Sequence, residues 1–117
     1  MPYRRIIEAL LARVPGARTA LLLDAQGEVV VGAGDLGERE RLIGAYEGIA
    51  LGMASRAATR FNAGAVRSLV WRHEGGAIVV STLREGYYVL LSLAPTAFVP
   101  AAVRRAAEAG QKLEDEI

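Results

Sequence analysis

Cysteine is absent from the 117 residues, and histidine occurs once, at His73. Disulfides, thiolate nucleophiles, cysteine-ligated zinc and multi-histidine metal centres are thereby excluded. Asn62 is the only asparagine, and thirteen of the 14 basic side chains are arginine, Lys112 being the exception. Fourteen basic against 13 acidic residues leave a formal net charge of +1, so bulk charge draws the chain toward neither nucleic acid nor anionic lipid. No export signal is legible, because the apolar stretch after Arg4 and Arg5 is broken by Glu8 and Arg13. The longest uncharged run, between Glu85 and Arg104, contains Tyr87, Tyr88, Ser92, Thr96 and two prolines, Pro95 and Pro100. That composition fits a strand, a bend and a helix start better than a membrane span. The expectation is a cytoplasmic, prokaryotic protein without membrane insertion.

Apolar residues, by contrast, make up 52% of the chain beside 13 glycines, and mean hydropathy is +0.24. A mass of 12.4 kDa is the size of one domain, so residues 1–117 are expected to form a single domain. A chain this small buries only part of its surface on folding, and an apolar excess predicts a further buried surface against another subunit.

Tyr3, Ile6, Ile7, Leu10, Leu11 and Val14 make one stripe of an amphipathic helix that Pro15 and Gly16 stop. Residues 17–23 and 28–31 are β-rich runs joined by Asp24-Ala25-Gln26-Gly27, a hairpin signal. Beyond the glycine-rich stretch 32–37, Asp35 and Glu38 have capping-box spacing and predict a long helix to about Arg60. Strands over 65–72, 77–83 and 87–93 follow as an antiparallel meander, and Pro100 suits the first position of a last helix. That helix is expected to turn Val103, Ala106, Ala107, Gly110, Leu113 and Ile117 inward. The run Tyr87-Tyr88-Val89-Leu90-Leu91-Ser92-Leu93 is apolar on both faces, as a strand buried between two helical layers would be. The order α-β-β-α-β-β-β-α therefore predicts an α/β fold, a three-layer α/β/α sandwich.

Gly32-Ala33-Gly34-Asp35-Leu36-Gly37 matches GxGxxG, but a hairpin precedes it and Glu38 and Glu40 open the next helix, where they would repel a pyrophosphate. No cofactor is expected. His73 sits in a turn, and no serine, imidazole and carboxylate set or paired-carboxylate site emerges, so the chain is read as a non-enzyme without catalytic or metal-binding residues.

In the middle helix Leu42, Ile43, Tyr46, Ile49, Ala50, Met53, Ala54, Ala57 and Phe61 form a broad apolar face, expected to cover the sheet. Gly44, Gly48 and Gly52, with Ser55 and Thr59 beside them, would then lie on the far side. Three interior glycines cost about 3 kcal/mol relative to alanine, and close approach of a second helix would offset that. The strand over 65–72 reads as a sheet edge, with Leu69 and Trp71 on one face next to Arg67. Pairing of this edge with its twofold copy would bring the middle helices together, giving an expected dimer interface of Gly44, Gly48, Gly52, Ser55, Thr59, Arg67, Leu69 and Trp71.

In layout the sequence resembles the Roadblock/dynein light-chain family. The resemblance is carried by the hairpin from Leu21 to Val30, by the small-residue-rich middle helix and by the stretch from Arg84 to Ala94. It implies sheet order 2-1-5-4-3, with the long helix on one face and the two terminal helices on the other. It further implies a homodimer or family heterodimer acting as a non-catalytic platform. Bacterial and archaeal members of that family regulate small Ras-like GTPases, so the implied partner is such a GTPase; Arg41 and Arg56, on the middle helix, are candidate contacts to its acidic groups, the plainer alternative being solvated surface charge. A regulator of this kind can hold the switch loops in place without an arginine finger of its own. The alternative is a small-molecule-sensing or profilin-like module of the same layered architecture.

Overall fold

The computed structural model describes residues 2–117. Its first helix, α1 (Pro2–Arg13), buries Ile7 and Leu10. β1 (Ala17–Leu23) and β2 (Val29–Gly34) form the expected hairpin. The Asp24 carboxylate holds its turn by accepting the backbone N–H groups of Gln26 and Glu28 at 2.9 and 3.0 Å. β2 starts one residue later than expected and runs past Val31 through the glycine-rich stretch. The missing side chain of Gly32 leaves room for Leu21 and Leu36, which would stand 2.8 and 2.7 Å from a Cβ there. Gly34 has φ +84° and lies against the Arg18 carbonyl. The glycines thus serve sheet packing, and the GxGxxG pattern is divided between a strand and a helix start. The next helix, α2 (Glu38–Arg60), is capped at Gly37, whose N–H donates to Glu40 Oε1 at 3.3 Å, in place of the expected Asp35 and Glu38 pair.

β3 (Ser68–His73), β4 (Gly76–Thr82) and β5 (Tyr88–Leu93) form the meander. β3 begins later than residue 65 because the Val66 and Arg67 carbonyls accept the Thr82 hydroxyl at 2.8 and 3.2 Å. The last helix, α3 (Val99–Glu114), has Pro100 at its second position, after Val99. Its buried stripe is Val99, Ala102, Ala106, Ala109, Gly110 and Leu113, so the expected inward face is rotated and Ala107 and Ile117 are exposed. Among the described residues no helix is long and apolar enough to cross a membrane.

The sheet is antiparallel in the order β2-β1-β5-β4-β3. β5 is central, with Tyr88 through Leu91 and Leu93 buried, as its two apolar faces require. α1 and α3 cover one face and share with it a cluster of 18 buried residues, seven of them on the helices. On the other face only six buried residues, Leu21, Leu23, Ile78, Val80, Tyr88 and Leu90, form the cluster beneath α2.

α2 is turned away from the sequence expectation, although Ile43 of the expected face does pack against the cluster beneath it. Gly44 and Gly48 face the sheet, where added Cβ atoms would meet Leu23 Cδ2 and the Tyr88 hydroxyl, each at 2.6 Å. Leu42, Tyr46, Ile49, Met53 and Phe61 point away from it and are exposed. The physical reason is volume. The sheet presents large side chains to this helix, so close packing demands small residues opposite them. Of the three glycines only Gly52 lacks a sheet atom nearby, its nearest neighbour being Arg56 Nη1 at 3.5 Å.

The two positions should therefore respond oppositely to alanine. Gly52→Ala is expected to stabilise by up to about 1 kcal/mol through helix propensity. Gly48→Ala displaces the Tyr88 hydroxyl and should destabilise by about 1 kcal/mol net. Urea unfolding of both variants checks this, and equal effects would contradict the orientation of α2.

Candidate functional site

On the outward side of α2, Leu42, Tyr46, Ile49 and Met53 recur at spacings of four, three and four, which puts them in one seam. Tyr46, Ile49 and Met53 are each 60% exposed or more, and Phe61 beyond the helix end is 81% exposed. Arg56 and Arg60 continue the seam at the same spacing, and Arg41 flanks it, all three exposed. An apolar stripe on solvent is the kind of surface that marks a protein contact.

Beside this helix runs the outer edge of the sheet. β3 pairs with β4 alone, five of its six residues are exposed, and its other edge carries unpaired backbone groups. Val70 and Trp71 are exposed apolar side chains there, Arg67 and Ser68 are exposed at its start, and Leu69 is half-buried against the cluster beneath α2.

Helix and edge are tied by Glu47, a residue the sequence reading passed over. It lies on the inner side of α2, is 3% exposed, and both carboxylate oxygens lie 2.9 Å from the indole Nε1–H of Trp71, which donates to them. A carboxylate buried this deeply needs a donor, and the indole supplies it. One turn away the Tyr88 hydroxyl donates to the Gly44 carbonyl at 2.8 Å. Burial, and then the Asp24 and Glu47 carboxylates, push the Tyr88 phenol up from 10.0 to about 12. The only sequence signal for Glu47 is an acid placed between Gly44 and Gly48, on the stripe that approaches the sheet.

Of the expected interface residues, the structure brings Leu69 and Trp71 to the β3 edge, with Arg67 exposed just before it. Gly44 is buried and Gly48 half-buried under the helix, not on its outer side. Ser55 and Thr59 are exposed toward the C-terminal end of α2, where the Thr59 hydroxyl donates to the Ser55 carbonyl at 3.0 Å. Gly52 is half-buried at the border.

A five-stranded antiparallel sheet in this order, with one long helix on one face and the terminal helices on the other, is the Roadblock architecture. The family model described as Roadblock/LC7 domain matches residues 6–92, and the chain belongs to that family. A search of curated proteins finds no match. Among solved structures it is similar to a Roadblock/LC7 domain from Streptomyces avermitilis, at 21% identity and TM-score 0.88 over 97% of this chain and 95% of that one. It is also similar to Myxococcus xanthus MglB, at 10% identity and TM-score 0.86 over 97% and 93% of the two chains. The gliding protein MglB from Thermus thermophilus matches at 20% identity and TM-score 0.82 over 99% and 90%.

Two outcomes test this geometry. Trp71→Phe strands the buried carboxylate and should cost about 1–3 kcal/mol, part of which returns when Glu47→Leu is added, as a double-mutant cycle would read. The Tyr88 phenol stays protonated in the folded chain between pH 10 and about 12, where the unfolded chain loses the proton. Its contribution to stability is complete below pH 10 and declines as pH rises through that window. The melting temperature of Tyr88→Phe should therefore fall less steeply over this range than that of the parent.

Proposed function

We propose that this protein is a non-catalytic, dimeric regulator or scaffold that binds a small Ras-like GTPase and tunes its GTP hydrolysis. The observation that carries the reading is the continuous outward surface formed by Leu42, Tyr46, Ile49 and Met53 on α2 and by the unpaired edge of β3. A second copy of this chain, or another family member, would pair its own β3 with this edge and lay its α2 along the same stripe. The interface is thus assigned to the outward seam with Arg67, Leu69 and Trp71, bordered by Gly52, Ser55 and Thr59. Gly44 and Gly48 act beneath it by setting the height of the helix. Burying each large side chain of the seam contributes about 1.5–3 kcal/mol, enough for a few of them to dominate association.

The GTPase then meets the dimer at the rim of the seam, where Arg41 and Arg56 are free to contact acidic groups. Family membership supports this partner, since bacterial and archaeal Roadblock proteins regulate small GTPases. On this reading the protein works in the cytoplasm, where such GTPases act.

A second reading rests on one cavity of 390 Å³ between the start of α2 and the sheet, lined in part by Thr19, Ile43, Trp71, Ile78 and Ser92. A small-molecule sensor would use it, and native mass spectrometry would then show a retained metabolite.

Sedimentation velocity should give a dimer for the parent. Ile49→Asp and Met53→Asp, both on exposed positions, should shift it to monomer with unchanged circular dichroism, raising the dissociation constant by about tenfold or more. Pull-down with a GTP analogue or GDP should enrich a Ras-like GTPase in one nucleotide state. A monomeric parent overturns the dimer, and the absence of any GTPase in both states overturns the regulatory role.

A further inference from the structure

The opposite face of the molecule carries a second surface that dimerisation through α2 and β3 leaves free. α1 and α3 run antiparallel, as the Tyr3 hydroxyl donating to the Glu116 carbonyl at 3.0 Å shows for one end. Ala9 and Ala109 are small, and the helices leave a groove of 220 Å³ between them, floored by Ile6, Ala9, Leu10 and Ala109. Each helix supplies one cation near each end: Arg5 with Lys112, and Arg13 with Arg105. The only carboxylate lining the groove among the described residues is Glu108, and Arg105 Nη1 holds it at 3.1 Å. Four cations against one acid give a local excess of three positive charges in a chain whose formal net charge is +1. The cations are exposed and make no ion pair besides Arg105 with Glu108 among the described residues.

We infer that this groove binds an acidic, amphipathic helical segment of a partner protein. An apolar floor of this size accepts one or two aliphatic side chains, since a cavity of about 150 Å³ already takes a benzene-sized group. From Arg5 to Arg13 the α1 backbone rises about 12 Å, the length of roughly two helical turns. A helix carrying leucines along one stripe, with glutamates a turn to either side, matches both the floor and the cations at its ends. A lipid surface fits less well. The large exposed apolar side chains of the described residues, Phe98 and Ile117 among them, lie outside the groove and give it no inserting element.

The test is an NMR titration of the full ¹⁵N-labelled chain with a capped synthetic helical peptide of that leucine and glutamate pattern. A peptide with lysine at the glutamate positions and phosphatidylserine vesicles serve as comparators. Saturable shifts are expected at amides of residues 5–13 and 105–112, weakening as salt is raised. Arg13→Glu with Arg105→Glu should reduce affinity about tenfold or more, and the corresponding glutamine pair by less. Both variants should keep the parent's spectrum outside the groove and its mass in solution. Absence of saturable shifts in α1 and α3, equal binding of the two peptides, or unchanged affinity in the double variants would overturn the inference. So would vesicle binding that the same substitutions abolish while the peptide stays unbound, an outcome that assigns the face to a membrane.

Discussion

The contact on which the arrangement of the outer surface depends is the approach of α2 to the sheet at Gly44 and Gly48. Tyr88, in the central strand, fills the space beneath the helix, and its hydroxyl closes on the Gly44 carbonyl at 2.8 Å. Side chains at either glycine would lift the helix off Leu23 and Tyr88. Once these two positions face the sheet, the 3.6-residue period sends Leu42, Tyr46, Ile49 and Met53 to the outside. The exposed seam is thus a geometric consequence of where the helix finds room to pack.

The two layers of the fold are unequal because of this. The cluster between α1, α3 and the sheet has eighteen buried residues, seven of them on the two helices, whereas the cluster beneath α2 has six, all of them on the sheet. Since burial of apolar area is the main favourable term in folding, the α2 layer contributes the smaller share within one chain. It also keeps its largest apolar side chains outside. A second subunit laid on the seam would complete that layer, which is how the proposed dimer would add stability to the same helix that recognises it.

Much of this was legible in the sequence where one periodicity had one explanation. The stripe from Tyr3 to Leu11 had only a core to serve, the turn at Asp24 to Gly27 had only a hairpin to close, and β5 was apolar on both faces because it is covered on both. The failures fall where two packings share one pattern. An apolar stripe on α2 reads the same whether it meets the sheet or a partner, and a glycine stripe permits close approach on either side. Only the sizes of Leu23 and Tyr88, which lie far away in sequence, decide between them. Glu47 was missed because its donor, Trp71, is brought near by tertiary structure. The glycine-rich stretch resembled a cofactor turn because glycines that admit Leu21 and Leu36 look the same in sequence as glycines that admit a phosphate.

The hydrogen bond between Trp71 and Glu47 gives this surface a property that neither element has alone. β3 is an edge strand held by β4 on one side, and α2 rests on a thin core, so each by itself would be among the more mobile parts of the fold. The indole joins them through a carboxylate that is buried and would be costly to leave without its donor. Motion of the strand relative to the helix would have to break that bond, so it ties the edge to the helix that carries the seam. A regulator that works by holding another protein's loops in place needs such a face, because it can bias a switch only by binding one of its states better than the other. On the proposed reading, a fixed Trp71 and Glu47 would lower the ordering cost of that discrimination, and because the tie is made from the inner side of the helix, the outer side chains of α2 would stay free for the partner.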